Sequence, residues 1–356
     1  MRESRLIATF LGIITSVLMV LVLQQLKTVF IPLIFAVLLS IMLAPAIKFL
    51  SRFKIPHGIS LTVVILAVFF LIYLLGSVIY ASVASFTTEF PKYEASLQNT
   101  LETTLDKVDL QLEGFQEDFY DIDWGKQLKK ISIGSTISST LGTFLTFLGY
   151  TLLILVFTIF LLSGQIHLSD KVRIAFEGAQ AAKILSVIRS IQSKVQTYLL
   201  TKVFISFLTA LVSLIFMLIF GVDFVVVAAV LIFALNFIPN IGSIIATAFP
   251  ILICFVEYGY NWRVPVLTAL LFGTQMIFGN VIEPLMMGRG LNLQPIVVIL
   301  SLIFWGWVWG IVGMVLAVPL TSTLVIVCES IDSLRPVAIL MSGSKTMDED
   351  EVMMRR

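Results

Sequence analysis

The chain has 356 residues, of which 58% are hydrophobic and 13% charged, with a mean hydropathy of +1.03. No water-soluble fold hides that share of apolar side chain, so the composition excludes an ordinary soluble domain and calls for a lipid-embedded one. Formal charge is +1, from 23 Lys and Arg against 22 Asp and Glu, which gives no general attraction to nucleic acid.

A helix crosses the hydrocarbon core with about 20 apolar residues, because every backbone polar group must be satisfied internally where there is no water. Runs of that kind are predicted near residues 6–26, 29–47, 59–83, 138–163 and 203–220, followed by a less regular stretch from 224 to 328. Arg2 and Arg5 before the apolar stretch Leu6 to Leu23 resemble a secretory signal. Many apolar runs follow and no small-residue cleavage site is evident, so an uncleaved first membrane helix is expected. The fold class is therefore an all-α polytopic membrane protein.

Orientation follows from Lys and Arg in short loops. The loop from Lys48 to Gly58 carries Lys48, Arg52 and Lys54 without an acid, and the segment 164–202 has six basic residues against Asp170 and Glu177. Both are expected on the cytoplasmic side, with the N-terminus. Residues 84–135 carry ten acids and five lysines, which suits the outer side. There Phe90, Tyr93, Leu97, Leu101, Leu105, Val108, Leu112, Phe115 and Phe119 recur at steps of three or four, an amphipathic helical stripe. Such a stripe needs a partner: its own subunit, the membrane surface, or a second copy in a homo-oligomer. On the cytoplasmic side, Ile184, Ile188, Ile191, Val195 and Tyr198 form a shorter stripe, expected to lie along the inner leaflet. Residues 343–356 read as a solvated, disordered acidic tail.

From Val203 to Cys328 only Asp223, Glu257, Arg263, Glu283 and Arg289 are charged, and ionisable residues at membrane depth are costly enough to be functional candidates. Asp223, Glu257 and Arg263 sit beside turn-forming or aromatic residues and are expected at the interface. Glu283 and Arg289 flank EPLMMGRGLNLQP, which interrupts two apolar runs. Upstream, FALNFIPNIGSIIATAFP interrupts another with Pro239, Gly242 and Pro250 beside Asn236 and Asn240. Proline removes an amide hydrogen and glycine lets the chain turn, so both strings should be broken helices or hairpin tips. Broken backbone at membrane depth survives only inside protein or beside an aqueous cavity, and secondary carriers hold substrate at such paired interruptions. Asn236, Asn240, Gln275, Asn280 and Asn292 then suit a small hydroxyl-rich solute. Gln275, Gly279 and Glu283 fall at four-residue steps, on one side of a helix. The bland alternative is that each amide bonds a neighbouring helix. A tight broken segment could bring Glu283 and Arg289 together as a pair; the alternative is that Glu283 carries a coupling proton.

The stretch from Pro295 to Cys328 is too long for one ordinary span and forms two spans or a folded-back hairpin, with Trp305, Trp307 and Trp309 as interfacial anchors. Cys254 and Cys328 lie in apolar runs, without disulfide or zinc spacing. No Walker-type, dinucleotide or H-E-x-x-H string occurs, and the two histidines, His57 and His167, fall in predicted cytoplasmic loops. No cofactor, metal or catalytic residue is expected, nor an ATP-driven pump within this chain.

FALNFIPNIGS (233 to 243), GNVIEPLMMGRGLNLQPIVVILSLIFWGWVWGIVGMVLAVPLT (279 to 321) and the close-set first two spans with Pro32 and Pro45 resemble the bacterial autoinducer-2 exporter family over essentially the whole chain. The C-terminal strings are most similar to the member credited with quorum-signal transport. The resemblance implies about eight membrane segments in a bacterial inner membrane and export of autoinducer-2, a small polar furanone-type signal; other members are reported as sodium(lithium)/proton antiporters.

The leading expectation is a secondary carrier or facilitator exporting a small polar metabolite, with Asn236, Pro239, Asn240, Gly242, Gln275, Asn280, Glu283, Arg289 and Asn292 at the translocation site. The runner-up is a cation/proton antiporter with Glu283 holding Na+ or H+, and the third reading is a non-transporting oligomeric membrane scaffold.

Overall fold

The computed structural model of the chain describes residues 2–81, 133–165, 168–259, 261–287 and 293–343. Among the described residues the regular structure is helical. Seven helices among these residues are long and apolar enough to cross a membrane, and three shorter apolar stretches accompany them there, Phe10–Gln25, Val225–Leu235 and Pro295–Trp309. This is a multi-pass membrane architecture.

Helix α1 spans Arg2–Gln25 and α2 spans Lys27–Ser51. Pro32 and Pro45 both sit inside α2. The next helix, α3, covers His57–Ala81. The predicted amphipathic stripe from Phe90 to Phe119 lies outside the described residues. Helix α4 then spans Ile133–Gln165, α5 Leu168–Ala175 and α6 Gly178–Phe220.

Helix α6 corrects the sequence reading at one point. The basic segment 164–202 and the span 203–220 were expected to be separate, but no proline or glycine stands between Gly178 and Phe220, and one helix of 43 residues runs through both. Lys202, assigned to a cytoplasmic segment, is thereby carried into the interior, where it is buried. The short stripe preceding it is covered by protein at its C-terminal end: Val195 and Tyr198 are buried with Ile41, Leu199 and Val318.

The described residues fall into two compact units. One comprises Met1–Leu66, Leu152–Thr201 and Met287–Arg356; the other comprises Ala67–Thr151 and Lys202–Met286. In the first unit, helices α11 (Pro295–Trp309) and α12 (Ile311–Glu329) meet at Gly310 and form a folded-back hairpin, followed by α13 (Arg335–Met341). A Cβ at Gly313 would collide with the Trp305 carbonyl oxygen, so glycine permits the close approach. Of the three tryptophans expected as interfacial anchors, Trp307 is exposed. Trp305 and Trp309 are buried. Trp305 Nε1 donates to Thr321 Oγ1 at 3.2 Å within the hairpin, and Trp309 Nε1 donates to the Leu23 carbonyl at 3.0 Å, tying the hairpin to α1. A buried indole retains its N–H partner because leaving that donor unmatched is expensive.

In the second unit, the C-terminal half of α6 packs with α7 (Val225–Leu235), α8 (Ile241–Tyr258) and α9 (Arg263–Gln275). Its apolar core gathers Met217, Ile232, Ala246, Cys254, Leu267 and Leu271. At one end of the α7–α8 hairpin the charges expected at an interface cluster. The Asp223 backbone N–H donates to Glu257 Oε1 at 3.0 Å, Tyr258 Oη donates to the Gly221 carbonyl at 2.7 Å, and the Arg263 guanidinium lies 4.3 Å from the Tyr258 ring centroid.

Candidate functional site

The other end of the α7–α8 hairpin is the string around Asn236 and Asn240, and the break predicted there is a tight helix–turn–helix. Helix α7 stops at Leu235, residues 236–240 turn, and α8 begins at Ile241. Two local features enforce the turn. Asn240 has φ +60° and ψ −58°, and the Ile241 N–H donates across it to the Pro239 carbonyl at 2.7 Å, a tight γ-type turn. Gly242 is buried, and a Cβ there would strike the Leu235 carbonyl. Gly242 is therefore a structural residue of the hairpin tip and does not line the cavity described below.

The turn is anchored on α6. Lys202, Ser206, Thr209 and Ser213 follow one another at steps of three or four and are all buried, a polar stripe on an otherwise apolar helix. Asn236 Nδ2 donates to Ser206 Oγ at 3.0 Å, and Ser243 Oγ donates to Asn236 Oδ1 at 3.4 Å. Both ends of this buried amide are thus engaged by protein, which matches the helix-bonding alternative for Asn236.

The second break begins earlier than its sequence suggests. After α9, residues Met276–Ile282 form a π-helical segment, and α10 (Glu283–Met287) follows. The Glu283 backbone N–H donates to the carbonyl of Phe278, five residues back. Pro284 has no N–H to offer the carbonyl of Asn280, so the α-helical bond at that step is absent in any case. Segments of this kind are rare and recur at functional sites. Wider turns keep Gln275, Gly279 and Glu283 on one side, as four-residue spacing suggests.

These elements line an open cavity of about 370 Å³. Lys202 lines it from α6. Asn236, Pro239 and Asn240 contribute from the hairpin turn, with Ser243 and Thr247 from α8. Gln275, Gly279 and Asn280 contribute from α9 and its π segment, together with Phe272 and Met276, and Glu283 from the start of α10. Six of the nine predicted site residues are brought to one cavity. Gly242 stands behind its wall, while Arg289 and Asn292 lie outside the described residues.

The charged feature of the cavity is an ion pair. Lys202 Nζ lies 2.7 Å from Glu283 Oε1 and 2.9 Å from Oε2, with the side chains 5% and 16% exposed. Pairing with Arg289, one of the two roles weighed for Glu283, falls outside the described residues; the cation that the structure sets against Glu283 is Lys202, 81 residues away in sequence. Lys202 escaped notice because it ends a run of basic residues that reads as a loop. The available signal was its i, i+4 relation to Ser206, which makes the last lysine before the apolar run part of a polar helix face.

The amides in the wall differ in how they are engaged. Asn236 is held on both sides, whereas the Nε2 of Gln275 is buried with no hydrogen-bond partner among the described residues. Asn280 is exposed and its Nδ2 meets only a methionine sulfur, Met276 Sδ, at 3.8 Å. Chemically the cavity thus offers uncharged amide groups and one donor–acceptor ion pair, which suits reversible binding of a small polar molecule.

A family model described as AI-2E family transporter matches residues 11–333. The AI-2 transport protein TqsA of Escherichia coli strain K12 is 33% identical over 321 residues, covering 88% of this chain and 89% of that protein. A relative from Borreliella burgdorferi, described only in general terms as a transport protein, is 28% identical over 90% of this chain and 86% of its own length. The Escherichia coli protein YhhT, described in the same terms, is 30% identical over 89% of each chain.

Proposed function

Since the chain belongs to the AI-2E family of transporters, we propose that it exports a small polar metabolite, with autoinducer-2 the first candidate, through the cavity between the α7–α8 turn and the π segment after α9. A transport role is what the family and the relatives' descriptions share. The observation that carries the route is the meeting of both helix breaks at one cavity that holds a part-buried ion pair. Irregular backbone and ionisable side chains are costly among apolar helices and are retained where they serve a solute path. The volume, about 370 Å³, lies at the small end of ligand cavities, in keeping with a solute of metabolite size. Support for autoinducer-2 in particular comes from the description of the Escherichia coli relative.

A second reading, cation/proton antiport, draws on Glu283: a carboxylate inside the cavity is a ligand for Na+ or H+. Purified protein in liposomes, given autoinducer-2 and a panel of small polyols with and without Na+ and H+ gradients, separates the two. Solute flux that needs no ion gradient supports the exporter, and Na+-driven proton movement without solute supports the antiporter. Neither activity in a folded preparation would sink both.

A further inference from the structure

Lys202 and Glu283 are, among the described residues, the ionisable side chains that line the cavity, one of each sign. We propose that this ion pair is the charge filter of the cavity: its two charges cancel each other, so that small uncharged solutes are admitted while anions and cations are both disfavoured. The proposal rests on the reading of this cavity as the solute's route.

The pair has no ready explanation in stability. A buried salt bridge often contributes less than the apolar side chains that could replace it, because desolvating two ions offsets their attraction. Here the two charges also require special placement, Lys202 on the buried polar stripe of α6 and Glu283 directly after the π segment. That arrangement acts on whatever enters. An anion that accepts from Lys202 meets the like charge of Glu283 beside it, unless it draws the lysine away and strands the carboxylate; a cation at Glu283 meets the like charge of Lys202, or strands a lysine that is 5% exposed. Stranding a buried charge is the expensive outcome in either case.

A neutral solute strands neither. An ammonium has three N–H groups, so Lys202 retains one beyond the two directed at the Glu283 oxygens, and those oxygens keep further lone pairs. The intact pair therefore presents a donor and an acceptor side by side to a hydroxyl or carbonyl group. The amides of Asn240, Gln275 and Asn280 complete an uncharged polar wall.

The test reads the cavity's charge preference without requiring transport. In a background carrying Cys254→Ala and Cys328→Ala, a reporter cysteine is placed in the cavity by Asn280→Cys, or away from it by Ser51→Cys. Modification rates are measured in detergent for a cationic ethylammonium and an anionic ethylsulfonate methanethiosulfonate. Glu283→Gln should raise the anionic-to-cationic rate ratio at the cavity reporter by roughly tenfold or more, since even at the dielectric of water one unpaired charge about 4 Å away changes each reagent's rate about fivefold, in opposite directions. Lys202→Gln should lower it comparably, and the double variant should return it to the starting value. At Ser51→Cys the ratio should not move. Because the single variants carry opposite signs, either one that folds decides the matter. An unchanged cavity ratio in a folded single variant, or equal shifts at both reporters, overturns the filter. If the ratios shift as expected but liposomes carry neither erythritol nor its carboxylate analogue, the filter stands and the transport reading falls.

Discussion

Asn236 Nδ2 donates to Ser206 Oγ at 3.0 Å, and this bond fixes the tip of the α7–α8 hairpin to the helix that carries Lys202. Asn236 is buried, so breaking the bond from either side leaves a polar group without a partner, a loss of about 1–3 kcal/mol. Asn236→Ala and Ser206→Ala should each lower the thermal unfolding temperature in detergent. The double variant should cost clearly less than the two losses added together, because one bond is being removed twice. Strict additivity would mean that the contact contributes nothing.

Gln275 should behave in the opposite way. Its Nε2 is buried without a partner among the described residues, so Gln275→Leu removes an unsatisfied donor and should leave stability unchanged or raise it by about 1 kcal/mol. If the amide serves the solute, flux in liposomes should fall while the unfolding temperature holds. Loss of both together would place Gln275 among the structural amides with Asn236.

The contrast between these two amides bears on what the sequence could reveal. Both breaks were legible, because Pro239, Gly242 and Pro284 are visible punctuation in apolar runs and their effect on helices is local. Four-residue spacing also placed Gln275, Gly279 and Glu283 on a common side. Partnership was not legible. Whether Asn236 bonds Ser206, or Glu283 finds Lys202 81 residues away, depends on which helices pack together, and periodicity within one helix carries no such information. Lys202 illustrates the cost: counting Lys and Arg along a window treats each as a loop residue, whereas the helix from Gly178 to Phe220 continues without interruption. The tryptophans failed for the same reason, since their Thr321 and Leu23 partners belong to other helices.

The α11–α12 hairpin gives a prediction independent of the cavity. Trp309→Phe keeps most of the apolar bulk but leaves the Leu23 carbonyl without its indole donor, an expected loss of about 1 kcal/mol. Gly313→Ala drives a methyl into the Trp305 carbonyl, where helix backbone cannot yield cheaply, and overpacking of this kind costs about 1–3 kcal/mol or more. Expression and unfolding temperature should therefore fall further for Gly313→Ala than for Trp309→Phe. The reverse order would mean that the hairpin is looser than its geometry implies.

Pro284 decides what holds the π segment open. Pro284→Ala restores an N–H that could reach the Asn280 carbonyl, and completing that α-helical bond is worth about 0.5–1.5 kcal/mol. Converting the segment to α-helix, however, shifts the register before Glu283 by one residue, a rotation of about 100° at 3.6 residues per turn. Glu283 would swing away from Lys202, and stranding one partner of a buried pair costs about 3–5 kcal/mol. The ion pair outweighs the new bond, so Pro284→Ala alone should keep the π segment, with near-normal stability and flux. In the Lys202→Gln, Glu283→Gln background no charge opposes the conversion, and Pro284→Ala should then slow amide hydrogen exchange across residues 280–284. Should Pro284→Ala alone slow exchange there and abolish flux, the proline and not the ion pair would be what keeps the segment open.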